Sequence, residues 1–265
     1  MIGETNSVSM EIYRYPLYYE VAFSFFDVKK QIDTFEEIIS KFSKIKVNRF
    51  LDVACGPSLQ LREIAKRGYE AVGLDLVPEM LKYLSKKAKE EGLKIETVRA
   101  DMSNFRLEKK ADFAFMMMGS LEFKSNDGFL NHLNSLACSI KKGAIYFIQN
   151  KAVDWTGSRE QSWDSQRNGI TVKTTYKAHW KDILNQIVTE EIVLEVNDHG
   201  RKMQFKSQEN LKFTFPQEFK ALINLNGKFE FLGWWEGTES TWLLDKPLEN
   251  SKPPSNFNMV LLRRK

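Results

Sequence analysis

The 265-residue chain is poor in the side chains that build cross-links and metal centres, with two cysteines and three histidines. Cys55 and Cys138 fall in different expected elements, so they suggest neither a disulfide framework nor a zinc site and are read as reduced thiols. His132, His179 and His199 are scattered, and no metal is expected. No apolar run approaches the roughly 18 to 20 residues of a membrane span. The stretch MIGETNSVSM lacks the basic and apolar regions of a signal peptide, so the expected location is cytoplasmic. An excess of one charge is missing too: 39 basic against 35 acidic side chains leave +4, too mild a bias to argue for nucleic acid. What the chain does hold is 42% hydrophobic and 12% aromatic content. That is enough to bury a sizeable core in one large domain, or in one domain with an insertion.

From Val47 to Asn150 short apolar runs alternate with helix-period segments, the pattern of successive βα units around a parallel sheet. Five strands are expected, roughly Val47 to Ala54, Glu70 to Leu76, Lys94 to Ala100, Ala111 to Met118 and Ala144 to Gln149. Leu61, Ile64 and Ala65 mark the first intervening helix, which Gly68 stops. Pro78 suits the first position of the second helix, where Leu81, Leu84 and Ala88 form the apolar stripe and Gly92 the end. Asn126 or Asp127 can cap a third helix carrying Leu130, Leu133, Ala137 and Ile140.

After Asn150 the period changes to two. Ile170, Val172, Thr174, Tyr176, Ala178 and Trp180 alternate with polar residues, as in an antiparallel strand with one wet face. Asn168-Gly169 and Asn197 to Gly200 supply residues that tolerate positive φ, so hairpins are expected there. Residues 151–210 therefore form an antiparallel β insertion, and residues 1–44 an N-terminal helical cap. Thr214 to Gln217 suggests a capping box, followed by a helix ending at Asn226-Gly227 and by two strands near Lys228 to Trp235 and Asn256 to Arg263.

The corner after the first strand, FLDVACGPS, decides the ligand. Open α/β sheets bind ligands beyond the carboxyl ends of their strands, and the first three strands end near Asp52, Asp75 and Asp101. A carboxylate in the place of Asp75 can accept hydrogen bonds from both hydroxyls of a ribose. A dinucleotide needs a G-x-G-x-x-G turn, whereas Cys55-Gly56-Pro57-Ser58 holds one glycine. Asp52 would also repel a pyrophosphate, by about 4 kcal/mol for two charges about 4 Å apart at an effective dielectric of about 20. A nucleoside carrying positive charge inverts that sign, and S-adenosylmethionine carries an ammonium and a sulfonium.

In order, DVACGPS, GLDLVPEML, RADM and FAFMMMGSLEF resemble the motifs of the class I S-adenosylmethionine-dependent methyltransferases. The resemblance covers residues 45–150 closely, and the last helix and strands are compatible with it. It implies an α/β fold with a Rossmann-like, doubly wound seven-stranded sheet, mostly parallel with an antiparallel last strand, built from residues 45–150 and 211–265. It further implies that Asp52 and the backbone at Ala54 and Gly56 hold the methionine portion, that Asp75 takes the ribose hydroxyls, and that Leu76 packs beside the adenine. By the same resemblance Asp101 and the Met102 backbone meet the adenine amino edge, and Met118 and Gly119 lie beside the sulfonium. Ser58 departs from the family, which usually has a second glycine there.

Methyl transfer needs an acceptor held in line with the methyl carbon and water kept away. Glu122, just past the fourth strand, is placed to hold an amine or accept a proton. Tyr13, Tyr18, Tyr19 and Phe23, with Trp155 and Trp163 of the insertion, are the candidate substrate pocket, since aromatic faces favour a cation. The insertion resembles the substrate lids of some small-molecule methyltransferases. The leading expectation is therefore a small-molecule methyltransferase acting at nitrogen or oxygen, with S-adenosylhomocysteine as the cofactor product. Two rivals stay open. A nucleic-acid or protein methyltransferase would use a basic face built from Lys173, Lys177, Arg201, Lys202 and Lys206, and a non-catalytic binding module would keep the fold without transfer.

Overall fold

A strand whose residues are apolar on both faces can be satisfied only in the middle of a covered sheet, and Arg49–Val53 and Ala111–Met116 are buried along their whole length. The computed structural model describes residues 9–149, 158–238, 241–248 and 258–265. The chain begins with β1 (Ser9–Met10), α1 (Pro16–Ala22) and α2 (Val28–Phe42). It continues through β2 (Arg49–Val53), α3 (Leu59–Lys66), β3 (Glu70–Asp75), α4 (Pro78–Glu90), β4 (Ile95–Arg99), β5 (Ala111–Met116), α5 (Asn126–Ser139) and β6 (Ile140–Gln149). Four long strands follow: β7 (Ser158–Arg167), β8 (Ile170–Asp182), β9 (Ile187–Asp198) and β10 (Arg201–Lys212). The chain closes with α6 (Pro216–Asn226), β11 (Phe229–Gly237), β12 (Trp242–Pro247) and β13 (Asn258–Arg264). Contacts divide it into two units, residues 25–155 with 214–265 and residues 1–24 with 156–213.

The larger unit is an α/β sheet in the order β12-β11-β13-β6-β5-β2-β3-β4. Its first five strands in sequence, β2 to β6, pair in parallel, and β13 enters antiparallel between β6 and β11. One face packs against α2, α3 and α4 through Ile32, Phe35, Ile38, Leu61, Ile64 and Leu84; the other packs against α5 and α6 through Phe129, Leu133, Phe219 and Ile223. The sheet therefore has eight strands rather than the expected seven. The additional one, β12, lies in sequence between the two strands expected last, because Trp242 is buried between Phe35 and Phe147 and draws its segment onto the edge of β11.

Local signals differ at three points. The strand expected from Ala144 already begins at Ile140, because Gly143 adopts φ +84° and the register against β5 shifts between Ala111 and Phe113. Helix α5 is capped by Ser125, whose Oγ accepts the Gly128 N–H at 3.2 Å, and not by Asn126 or Asp127. No capping box opens α6; Pro216 starts it with a preset φ. At the base of the sheet Asp112 accepts the N–H groups of Asn48 and Arg49 at 3.0 and 2.9 Å and pairs with Lys141 at 2.6 Å.

The smaller unit is a five-stranded antiparallel sheet in the order β1-β10-β9-β8-β7. Asn168-Gly169 and His199-Gly200 turn its hairpins with positive φ at both residues. A third hairpin between β8 and β9 turns on Gln186, also at positive φ. Ile170, Val172, Leu194, Val196 and Phe205 cover one face together with Ile12, Val21 and Ala22. The segment expected as a single N-terminal cap is thus divided: β1 pairs with β10 and α1 packs on the antiparallel sheet, while α2 belongs to the larger unit. Among the described residues no helix is long and apolar enough to cross a membrane.

Gly73 of β3 lies where α3 and α4 approach the sheet. A Cβ there would meet Cys55 Sγ at 2.8 Å and the methyls of Leu61 and Leu84 at 3.0 Å. Gly73→Ala is expected to lower the unfolding free energy by about 1 to 3 kcal/mol through overpacking, read by urea denaturation. A variant as stable as the parent would show that the two helices move apart freely.

Candidate active site

The carboxyl ends of β2 and β3 meet at one corner. Asp52 is 2% exposed, and its Oδ2 accepts the Ser58 hydroxyl at 2.6 Å. Ser58 Oγ in turn accepts the Leu61 N–H at 3.1 Å, so this residue caps α3 while it steers Asp52. Burial pushes the Asp52 carboxyl well above its usual range; the Ser58 bond opposes the rise and Asp75 adds to it. Cys55 lies in the same corner, its thiol raised by burial and then by both carboxylates, which leaves it an inert packing group.

Asp75 fixes the other side of the corner. Its Oδ2 accepts the Gly56 N–H at 2.7 Å and its Oδ1 the Val77 N–H at 2.8 Å. Burial raises this carboxyl too, against the pull of the Val77, Gly56 and Leu76 N–H groups. Each oxygen still has a lone pair for a ligand hydroxyl. The turn between the two acids departs from ordinary backbone: Ala54, Gly56 and Ser58 have φ of 57°, 52° and 32°. Next to Asp75, Leu76 stands 49% exposed, an apolar surface at a strand end.

After β4, Asp101 Oδ1 accepts both the N–H and the hydroxyl of Ser103, at 2.7 and 2.6 Å. Among the described residues Asp101 Oδ2 has no hydrogen-bond partner, and the side chain is exposed. That loop is tied down from below. The Met102 carbonyl meets His132 Nδ1 at 2.8 Å, His132 Nε2 meets the Tyr146 hydroxyl at 3.0 Å, and Ser135 Oγ donates to the Ser103 carbonyl at 3.1 Å.

Beyond β5, Met118 and Gly119 both take positive φ, at 59° and 77°. Gln149 at the end of β6 accepts the Met118 N–H at 2.8 Å. Glu122 is half-buried, with its N–H on the Ser120 carbonyl at 2.9 Å. Sequence reasoning missed His132, Tyr146, Gln149 and the double role of Ser58. A single glutamine closing the apolar run AIYFIQ was the available signal for Gln149.

Residues 50–143 match the family described as a methyltransferase domain. Residues 50–143 therefore form a methyltransferase domain. No curated protein matches the chain. Among solved structures it is similar to an S-adenosylmethionine-dependent methyltransferase from Clostridium acetobutylicum ATCC 824, at 16% identity and TM-score 0.71 over 94% of this chain and 96% of that one. It is similar to CalS10, an amino pentose methyltransferase from Micromonospora echinaspora, at 16% identity and TM-score 0.68 over 95% and 96%. It is also similar to the sugar N-methyltransferase KedS8 from Streptoalloteichus sp ATCC 53650, at 17% identity and TM-score 0.69 over 100% and 97%. At these identities the likeness establishes the fold.

The corner fits S-adenosylmethionine chemically. Asp52 and Asp75 are buried acids without a basic partner among the described residues, so a ligand cation would satisfy them. The larger unit holds every residue expected to meet the cofactor: Asp52, Ala54, Gly56, Asp75, Leu76, Asp101, Met102, Met118 and Gly119. Tyr13, Tyr18, Tyr19 and Phe23 gather instead in the smaller unit, packed on its apolar face. Trp163 joins them, its Nε1 donating to the Ala22 carbonyl at 2.8 Å and its ring 5.6 Å from that of Phe23. Trp155 lies outside the described residues. Among those described, no group of three or more His, Cys, Asp or Glu could hold a metal ion.

Burial lowers His132 from 6.5 to about 4. The unfolded chain therefore takes up this proton first as pH falls. The neutral ring's contribution is intact above pH 6.5 and is lost as pH falls toward 4, on the order of 3 kcal/mol. Between pH 7 and pH 4 the unfolding free energy of the parent should fall by about that much more than that of His132→Asn. Parallel curves would mean that the ring takes up its proton alike in the folded and unfolded chain.

Proposed function

We propose that this methyltransferase transfers the methyl group to a nitrogen or oxygen of a small molecule, with the nitrogen of an amino sugar as the first acceptor class to test. One observation carries the cofactor half of the reading: two buried carboxyls at adjacent strand ends, both raised, with no cation supplied by the described residues. A phosphorylated ligand would worsen that balance, and a sulfonium-ammonium ligand corrects it. Bound S-adenosylmethionine supplies an electrophilic methyl on a positively charged sulfur. Asp52 holds the positive amino-acid end through the backbone corner that Ser58 stabilises. Asp75 keeps its free lone pairs for the ribose hydroxyls, Leu76 covers the adenine and Asp101 Oδ2 takes its amino edge. Glu122 orients an acceptor amine or receives a hydroxyl's proton.

The acceptor half is supported by likeness over nearly the whole chain, smaller unit included, to proteins described as an amino pentose methyltransferase and a sugar N-methyltransferase. We assign acceptor contact to Tyr13, Tyr18, Tyr19, Phe23, Trp155 and Trp163 on their aromatic character. The lysine-rich strands speak against a nucleic-acid groove. Lys173 pairs with Glu195 at 3.6 Å, Lys177 with Glu160 at 3.0 Å and Lys206 with Glu191 at 2.5 Å, so that face is of mixed charge.

Calorimetry should show binding of both S-adenosylmethionine and S-adenosylhomocysteine, and a methyl-release assay should show turnover on amino sugars or small hydroxyl compounds. Methylation of tRNA or of a peptide in their place would overturn the acceptor class, and binding without turnover on any acceptor would leave a binding module. Asp75→Ala is expected to weaken S-adenosylhomocysteine by about 1.5 to 3 kcal/mol, since a charged acceptor loses its hydroxyl partners. Unchanged affinity would remove Asp75 from the site.

Proton linkage gives a separate check on Asp52. Its carboxyl is raised when free, and a cationic ligand favours the ionised form. Affinity should therefore rise with pH through the range where the free protein holds that proton, and calorimetry in buffers of different ionisation enthalpy should detect its release. Asp52→Asn should abolish the release; a variant that still releases the proton would assign it elsewhere.

A further inference from the structure

Gln149 closes β6 with a side chain only 1% exposed. Its Oε1 accepts the Met118 N–H, while its buried Nε2 has no hydrogen-bond partner. That single bond fixes the direction of the carboxamide. Met118 offers a donor, so the oxygen must lie on its side and the two N–H groups on the other. A buried N–H left unmatched is destabilising, and native proteins keep few of them.

Two further buried donors on the same face of the sheet lack partners, Gln31 Nε2 and Trp242 Nε1. Gln31 lies one helical turn before Phe35, whose ring packs on both Phe147 and Trp242. Phe147 is two residues before Gln149 on the same strand, hence on the same side. Gln31 Oε1 also accepts from Gln60 Nε2 at 2.8 Å, which places its carboxamide at the start of α3. All three unmatched atoms are donors. The group that satisfies such a set carries lone pairs, the opposite requirement from that of Asp52 and Asp75.

We propose that Gln149 donates from Nε2 to the carboxylate at the amino-acid end of the methyl donor while its Oε1 holds Met118 in its left-handed conformation. This rests on S-adenosylmethionine being the ligand of the corner. The amino-acid end of that molecule carries an ammonium and a carboxylate together. The acids closing β2 and β3 attract the first and repel the second, so the carboxylate is stabilised away from them, at the end of β6 two strands from β2, where Gln149 presents its unmatched donor. A neutral carboxamide does this without repelling the ammonium beside it.

The test is calorimetry on the full chain with two ligands, S-adenosylhomocysteine and 5′-methylthioadenosine, which share the nucleoside but differ in that the second has no amino-acid end. Gln149→Glu keeps an acceptor for Met118 and puts a negative oxygen where the N–H pair was. It should weaken S-adenosylhomocysteine by about 10- to 100-fold and leave 5′-methylthioadenosine within about twofold. Gln149→Met introduces no buried charge and should shift the ratio of the two affinities in the same direction. Because any loss of folded protein weakens both ligands alike, the ratio stays readable. A ratio equal to the parent's in both variants overturns the role of Gln149. A parent protein that binds neither ligand overturns the cofactor reading itself.

Discussion

The hydrogen bond from Ser58 to buried Asp52, paired with the grip of Asp75 on the Gly56 and Val77 N–H groups, is the constraint on which the rest of the corner depends. Two residues with side chains, Ala54 and Ser58, sit there at positive φ, a conformation that costs on the order of 1 kcal/mol or more each. Such strain persists only where neighbouring bonds over-determine it. The carboxylates provide those bonds, and in exchange they are held buried at the ends of two parallel strands. A turn in this shape brings backbone close to a ligand without the full glycine pattern. The serine that replaces the family's usual glycine is therefore a structural part of the corner.

The two ends of the parallel sheet are electrostatically different. At the base, acids and bases neutralise one another: Arg49 reaches Glu70 at 3.1 Å and Glu96 at 2.5 Å, and Lys141 meets Asp112. At the other end Asp52, Asp75 and Asp101 have no ion-pair partner among the described residues. A group of acids without basic partners, two of them buried, disfavours the ligand-free protein and favours a cationic guest. The buried His132–Tyr146 pair serves the same end indirectly, because it holds the Met102 carbonyl and so the loop that carries Asp101.

Much of this was legible in the sequence, for identifiable reasons. The βα alternation, the helix stops at Gly68 and Gly92 and the Asn168-Gly169 hairpin are set by local chemistry, and the structure has each of them. The acids near the strand ends could be placed because a strand's length fixes where its end falls. What escaped was decided by contacts between distant segments. Strand β12 exists because Trp242 finds Phe35, some two hundred residues away in sequence, and no period in its own segment announces that. The separation of α1 from α2 depends on β1 pairing with β10. Gln149 and His132 read as ordinary polar residues until the chain brings Met118 and Met102 to them.

The antiparallel unit is assembled from segments that leave the ribosome at very different times. Ile12, Val21 and Ala22 emerge early, yet the strands they cover, β8 to β10, are complete only after Lys212 has been made. During that interval the whole α/β core up to β6 can fold, while an aromatic stretch rich in tyrosine and phenylalanine waits without its sheet. Long-range pairing of this kind is slow to form and leaves apolar surface open to wrong partners. The aromatic segment around α1 is thus covered only once the hairpin of β9 and β10 has been made.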